Sequence, residues 1–330
     1  MGDTKISPPI NRIMNKKTIQ ILAMSLCSLT ATAQESQTAF NFLRIPVSAH
    51  AAALGGENVS LIEDDASLAL SNPSLLSSVS HQTVSFGYMN YMSGTNMFTA
   101  NYTHVLNEKA TIGGAVQYLN YGSMKETDYV GNETGSFSPA DMTFEGLFSY
   151  TLANNLVGGI GAKFIYSKIG NYSSTAAAID LGINYYNPEI DFSAGLAVKN
   201  LGGQLSAYDE EFENLPVDIM LGVSQRIHNT PFRVHATFCD LNHWDYAFMQ
   251  HLNLGADVII LPQFYVAVGY NLKRAHDMKI EANNPDDSGS HGAGLTVGGG
   301  LLLERFKLNI AYGKYHVASS SLMFNAAFNF

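Results

Sequence analysis

Leu322-Met323-Phe324-Asn325-Ala326-Ala327-Phe328-Asn329-Phe330 closes the chain, and it alternates without a break. Leu322, Phe324, Ala326, Phe328 and Phe330 form one apolar row, interleaved with Met323, Asn325, Ala327 and Asn329. Successive side chains of a strand point to opposite faces, so a period of two gives each row its own environment. The same beat runs through Phe306, Leu308, Ile310 and Tyr312, which alternate with Lys307, Asn309 and Ala311. In Val84-Ser85-Phe86-Gly87-Tyr88 the even positions are apolar; so are Ile112, Gly114, Val116 and Tyr118, with Gln117 on the opposite face. From His81 to Phe330 roughly fourteen such segments follow one another, each about the length of a tilted strand that crosses a bilayer.

The links between these segments sort by length. Six are short, at Val105–Lys109, Thr151–Asn155, Tyr186–Ile190, Arg226–Pro231, Ile259–Gln263 and Leu303–Arg305. They alternate with seven links read as longer, including Asn120–Asp141, Lys199–Pro216, Asp240–Met249 and Asn271–His291. A soluble sandwich has no reason to separate links by end, whereas an outer-membrane barrel has short turns on one side and long loops on the other. The expected fold is all-β, a roughly 14-stranded antiparallel transmembrane β-barrel over residues 81–330, whose even strand number brings both barrel ends to one side.

Composition agrees. Charged residues make up 14% of the chain and hydrophobic ones 46%, with 29 Gly, 17 Tyr and 18 Phe. Soluble proteins carry about a quarter charged residues. Beyond the N-terminal leader no apolar run reaches the roughly 18 residues of a membrane helix. A closed sheet is the other way to pair every backbone donor in hydrocarbon. Tyr88, Tyr91, Tyr118, Tyr121, Tyr166, Tyr270 and Tyr315, near strand ends, are expected in interfacial girdles. Gly113-Gly114, Gly158-Gly159 and Gly298-Gly299-Gly300 are expected to permit bends or close backbone approach at the wall.

Lys16 and Lys17 precede the apolar stretch Ile19–Leu29 and the small-residue site Ala31-Thr32-Ala33. This reads as a signal peptide over residues 1–33, starting at Met14 and cleaved between Ala33 and Gln34. Lipoprotein processing at Cys27 is the other option, disfavoured by the bulky Leu26 before it. Cleavage leaves Cys239 as the only cysteine, so no internal disulfide forms. It removes four basic residues and one acidic one, taking the net charge from −10 to −13. Such an acidic protein is a poor binder of nucleic acid.

Residues 34–80 lack the strand beat. Ala49–Leu54 is a run of mostly small residues, followed by Gly55-Gly56, Glu63-Asp64-Asp65 and Ser71-Asn72-Pro73. Short helical turns packed inside the lumen suit this segment, an N-terminal hatch within a single domain, with Asp64, Asp65, Asn72 and Pro73 as its marked residues.

No chemistry-bearing set stands out. His235, Cys239 and His243 would share a strand face, but i and i+4 lie about 13 Å apart on a strand, too far for one ion. Asp64-Asp65 and Glu210-Glu211 read as turn, cap or solvated residues rather than acid–base pairs. Neither G-x-S-x-G, H-E-x-x-H nor a phosphate-binding glycine loop is present. The chain reads as non-enzymatic and without a cofactor. His243, Trp244 and Tyr246, in a link that holds the only Trp, are candidate partner contacts, because aromatic anchors dominate many interfaces. The plain alternative places Trp244 at the membrane interface or folded onto neighbouring loops.

Several strings resemble a known family. Phe42–Gly56 (FLRIPVSAHAAALGG), Ser71–Leu76 (SNPSLL), Lys199–Gly203, Asp240–Tyr246, Arg274–Lys279 and Glu304–Tyr315 are similar to the PorQ group of the PorV/PorQ, FadL-like outer-membrane barrels, a type IX secretion system family of Bacteroidetes. The resemblance implies fourteen strands and a hatch with an Asn-Pro element. Asn72-Pro73 matches that element, with Ser74 where alanine is often found. Independently of that resemblance, the last strand, with Phe328 in its apolar row and Phe330 at its end, looks like the assembly signal of bacterial outer-membrane proteins. The implied role lies in the surface attachment complex. There the barrel anchors PorZ, beside the sortase PorU and the shuttle PorV, and cargo is joined to a surface glycolipid. No catalytic residue carries over, since that chemistry belongs to PorU. The alternative is a FadL-like transporter of hydrophobic small molecules through the outer-membrane lipid, motivated by the hatch and the glycine-rich wall.

Overall fold

The computed structural model describes residues 38–92, 94–279, 292–316 and 319–330; the expected cleavage site, Ala33 and Gln34, lies outside them. Sixteen strands follow in order: β1 (Thr83–Met92), β2 (Thr95–Asn107), β3 (Ala110–Asn120), β4 (Met124–Thr127), β5 (Glu133–Phe137), β6 (Ala140–Ala153), β7 (Leu156–Ile169), β8 (Tyr172–Asn187), β9 (Phe192–Ser206), β10 (Asp218–Arg226), β11 (Phe232–Phe238), β12 (Leu252–Leu261), β13 (Phe264–Asn271), β14 (Leu295–Leu302), β15 (Phe306–His316) and β16 (Ser319–Asn329). Fourteen form a closed antiparallel barrel, while β4 and β5 make a separate hairpin in the link between β3 and β6. Closure runs from Thr83 opposite Asn329 to Asn90 opposite Leu322. Closing the sheet leaves no unpaired edge to face hydrocarbon.

The period-two rows settle which way each side chain points. On β15 and β16 Leu308, Ile310, Tyr312, Leu322 and Phe328 are exposed, whereas Lys307, Asn309, Met323, Asn325 and Asn329 are buried. Outside is a continuous apolar belt. Inside, polar and charged residues recur on many strands, among them Glu145, Lys163, Asp180, His235 and Asp257. A charge on a membrane strand is tolerated only on the lumen side, where it finds partners.

Two expectations need correction. Three of the links read as long are tight: β1 ends at Met92 and β2 begins at Thr95, β7 gives way to β8 across two residues, and β15 to β16 likewise. Pairing there simply continues further, to Ile169 opposite Tyr172 in the β7–β8 hairpin. Long connections remain after β3, β9, β11 and β13, and we call their side the loop end and the other the turn end. The second correction concerns tyrosine. Tyr91, Tyr121 and Tyr315 do not face lipid but pack against the internal core, because each continues the inward row of its strand.

Residues 38–80 run through the barrel interior. Thr38 pairs with Asn214 at the loop end, and the segment reaches the turn end before Thr83 opens β1. Helix α1 (Ala49–Ala53) starts at Ser48, whose hydroxyl accepts from the Ala51 N–H, and all five of its residues are buried. Its small side chains let the helix backbone approach β13 to β16 closely. The Asn325 amide accepts from Ala49 N–H and donates to Val47 O, and the Thr296 hydroxyl donates to Ala53 O. A 3₁₀ turn over Ala66–Leu70 is capped by Asp65, and another over Pro73–Ser78 by Asn72 with proline at its first turn. Aliphatic residues of this segment, such as Leu61, Leu68, Leu75 and Leu76, fill the core together with inward residues such as Met89, Met97, Leu119 and Ile165.

The Asn-Pro element has a fitted seat. The Asn72 side chain accepts from Ser74 N–H and Ser74 Oγ and donates to Val59 O at 2.7 Å. Opposite it the wall has glycine. A Cβ on Gly182 would fall 2.0 Å from Asn72 Oδ1, and one on Gly159 would fall 2.3 Å from the Pro73 carbonyl carbon and Ser74 N. Any side chain at either position would push the segment off the wall. No described helix is long and apolar enough to cross a membrane.

Candidate functional site

Besides the buried Glu145–Lys163–Asp180 cluster on β6, β7 and β8, two polar assemblies occupy the interior, one toward each end. Toward the turn end, His50 of α1 lies fully buried between two carboxylates. Its Nδ1 is 2.7 Å from Glu63 Oε2 and its Nε2 is 3.0 Å from Asp257 Oδ1. An ionised carboxylate only accepts, so both ring nitrogens must donate, and His50 is an imidazolium. Burial disfavours that charge, but Glu63 and Asp257 outweigh it and raise the His50 pKa to about 9. Burial likewise opposes ionised Glu63, yet His50 and Arg233 bring it down to about 2. Arg233 on β11 donates to Glu63 at 2.5 Å and to Asp257 at 2.6 and 2.8 Å. His235 continues the row, 3.0 Å from Asp257, with Ser224 and Asn58 on its other nitrogen. Tyr265 stacks on His50 at 4.0 Å. The network ties the internal segment to β10, β11, β12 and β13 at once.

Asp64 and Asp65 flank this network without joining it. Asp64 accepts from Ser80 and pairs with Lys307, while Asp65 caps its 3₁₀ turn through Ser67 and meets Asn309. Both are thereby tied into the path of the internal segment along the wall.

Toward the loop end a cavity of about 160 Å³ is lined by Arg44, Glu57, Lys199, Asp218, Asp240, Lys273 and Arg274, with Cys239 beside them. Asp240 accepts from Arg44 at 2.7 Å and Lys273 at 3.0 Å. Burial raises the Asp240 carboxyl, but these two cations hold it below its ordinary value. Cys239 is a free thiol touched by the Asn253 amide at 3.3 Å, and burial pushes its pKa well up.

The predicted partner residues separate. His243 is buried, Tyr246 stacks on it at 5.3 Å, and Lys273 Nζ sits 4.2 Å over the Tyr246 ring. Trp244 is 81% exposed. His235 and His243 do not share a strand face, because β11 ends at Phe238 and Asp240 adopts a positive φ of 55° that breaks the alternation. At the C-terminus Phe328 faces outward and meets Phe330 edge-on at 5.1 Å.

Sequence reasoning missed the His50–Glu63–Arg233–Asp257 network. Its members come from distant parts of the chain, and only the presence of Arg233 and Asp257 on membrane strands hinted that each needed a lumenal partner.

Comparison with known proteins follows the same lines. The chain is similar in structure to the Pseudomonas putida toluene transporter TodX, with 14% identity over 86% of this chain and 97% of that one, at a TM-score of 0.55. The Ralstonia pickettii toluene transporter TbuX matches at 10% identity, 88% and 98% coverage and a TM-score of 0.53. A Pseudomonas aeruginosa FadL homologue matches at 10% identity, 86% and 98% coverage and 0.51. At such identities the likeness establishes a shared FadL-like barrel fold. No curated protein matches in sequence. The family model for the type IX secretion system protein PorV matches residues 30–231. With a closed fourteen-stranded barrel and this match over more than half its length, the chain belongs to the PorV family of type IX secretion system outer-membrane proteins.

Proposed function

We propose that this chain is the PorQ-type member of its family: a non-enzymatic outer-membrane scaffold that anchors PorZ and, through it, works with PorU and PorV so that secreted cargo is attached to the cell surface. The observation that carries the reading is the family match joined to an interior filled by a pinned segment. A barrel whose lumen is packed and cross-linked by buried ion pairs has its loops left as working surface. In this reading the loop end faces the cell exterior, Trp244 is offered to the partner, and residues 38–80 serve as the hatch. The C-terminal Phe328 and Phe330 serve assembly.

Deleting the gene should release PorZ from the cell surface and leave cargo unattached. Affinity capture from detergent-solubilised envelopes should recover PorZ, and Trp244→Ala should reduce that recovery while leaving barrel folding intact. Retained PorZ with normal cargo anchoring in the deletion strain would reject the scaffold role. Loss of uptake of fatty acids or aromatic hydrocarbons in that strain would instead favour the FadL-like transporter, whose fold this chain shares.

A further inference from the structure

We infer that the loop-end cavity is a binding site for a small hydrophilic carboxylate bearing an adjacent hydrogen-bond donor. Two cations that line it are poorly supplied with acceptors. Lys199 on β9 is 6% exposed and makes no hydrogen bond among the described residues; its nearest carboxylate, Glu57, is 3.7 Å away. Arg274 lies with its guanidinium 3.9 Å over the Tyr315 ring. Its Nη2 reaches only Gly55 O, at 3.4 Å, and its Nη1 is buried with no acceptor. An ammonium held only by a long ion pair and a guanidinium nitrogen without an acceptor each forfeit charge-assisted hydrogen bonds, which an entering oxyanion would supply.

The lining also selects among anions. Glu57, Asp218 and Asp240 share the same cavity, so a dianion such as phosphate meets repulsion that a single carboxylate largely escapes. Asp218 has no cation within ion-pair distance among the described residues and accepts only the Asp240 N–H, at 2.6 Å. Its remaining lone pairs suit a ligand hydroxyl or ammonium next to the carboxylate. Asn200, Asn253 and Asn271 add further polar groups to the walls, and a volume of about 160 Å³ limits the occupant to a small molecule or a chain end. A hydroxy acid and the free end of a peptide both present this chemistry. The site is independent of the attachment role proposed above, because its occupant is a small molecule or chain end.

The test is calorimetric titration of the purified full chain in detergent micelles with sodium lactate, dialanine, inorganic phosphate and laurate. Saturable binding of lactate or dialanine is expected, and the tighter of the two assigns the source. Arg274→Gln and Lys199→Gln should each weaken it by about tenfold or more. Arg274 lies outside the barrel strands, so its variant reports even if Lys199→Gln disturbs folding, which circular dichroism checks. No saturable binding of either carboxylate, unchanged binding in Arg274→Gln, or preference for phosphate or laurate would each overturn the assignment.

Discussion

Replacing Arg233 with Met tests the claim that buried ion pairs pin the internal segment to the wall. Arg233 is the cation shared by Glu63 and Asp257, and it makes three hydrogen bonds of 2.5–2.8 Å to them. Its side chain is 13% exposed, Glu63 12% and Asp257 0%. Methionine keeps much of the volume but strands two carboxylates against one imidazolium. Breaking a buried pair by removing one partner costs about 3–5 kcal/mol. At about 2–4 °C per kcal/mol for a domain of this general size, the melting temperature should fall by roughly 6–20 °C. The assay is thermal unfolding of detergent-solubilised protein, followed by circular dichroism and by the loss of compact migration on unheated gels. The companion variant Arg233→Met/Glu63→Gln removes one charge of each sign and leaves the balanced His50–Asp257 pair. It should recover at least about 1 kcal/mol relative to additivity, the coupling expected of residues in one network. If Arg233→Met melts within a degree or two of the parent, or the double variant loses the plain sum of its parts, the network does not hold the segment and the argument fails.

Further expectations follow from the same interior. The raised His50 pKa means its stabilisation is fully present below 6.5 and fades as pH rises through about 9, whereas the lowered Glu63 pKa gives stabilisation present above 4.5 and lost as pH falls toward about 2. Melting temperature against pH should therefore plateau between those inner limits and decline on both sides, and His50→Gln should flatten the alkaline decline. Gly182→Ala places a methyl on Asn72 and should cost roughly 1–3 kcal/mol; adding Asn72→Ala should return part of that loss in the same melting assay, and a fully additive pair would contradict the seat. Deleting Phe330 removes one ring contact and a 3.4 Å backbone bond to Gln82. It should leave the melting temperature of folded material almost unchanged while lowering the fraction of folded barrel recovered from membranes.

The barrel was legible because a membrane strand obeys one simple rule, apolar out and polar in, and the chain keeps it for strand after strand. The same rule, applied to the tyrosines, would have placed Tyr91, Tyr121 and Tyr315 correctly. Position near a strand end was the wrong guide, since both rows reach the end and only the outward one meets lipid. Link lengths were less readable. Nothing local distinguishes a residue that extends a hairpin past the bilayer from one that begins a loop, and the β7–β8 pair shows the difference only through its register. Arg233 and Asp257 were visible as charges in apolar surroundings, yet their partners His50 and Glu63 lie 207 and 170 residues away from Asp257 and Arg233 respectively. No spacing motif spans such distances; closure of the sheet brings them together.

Cys239 turns the loop-end cavity into its own reporter. It is the only thiol beyond residue 27, and its half-buried position and raised pKa make it slow to alkylate while the interior stays shut. A maleimide therefore reads how often this end of the lumen opens, with no engineered label, in living cells as well as in micelles. Docking a partner or filling the cavity would register as a change in that clock's rate.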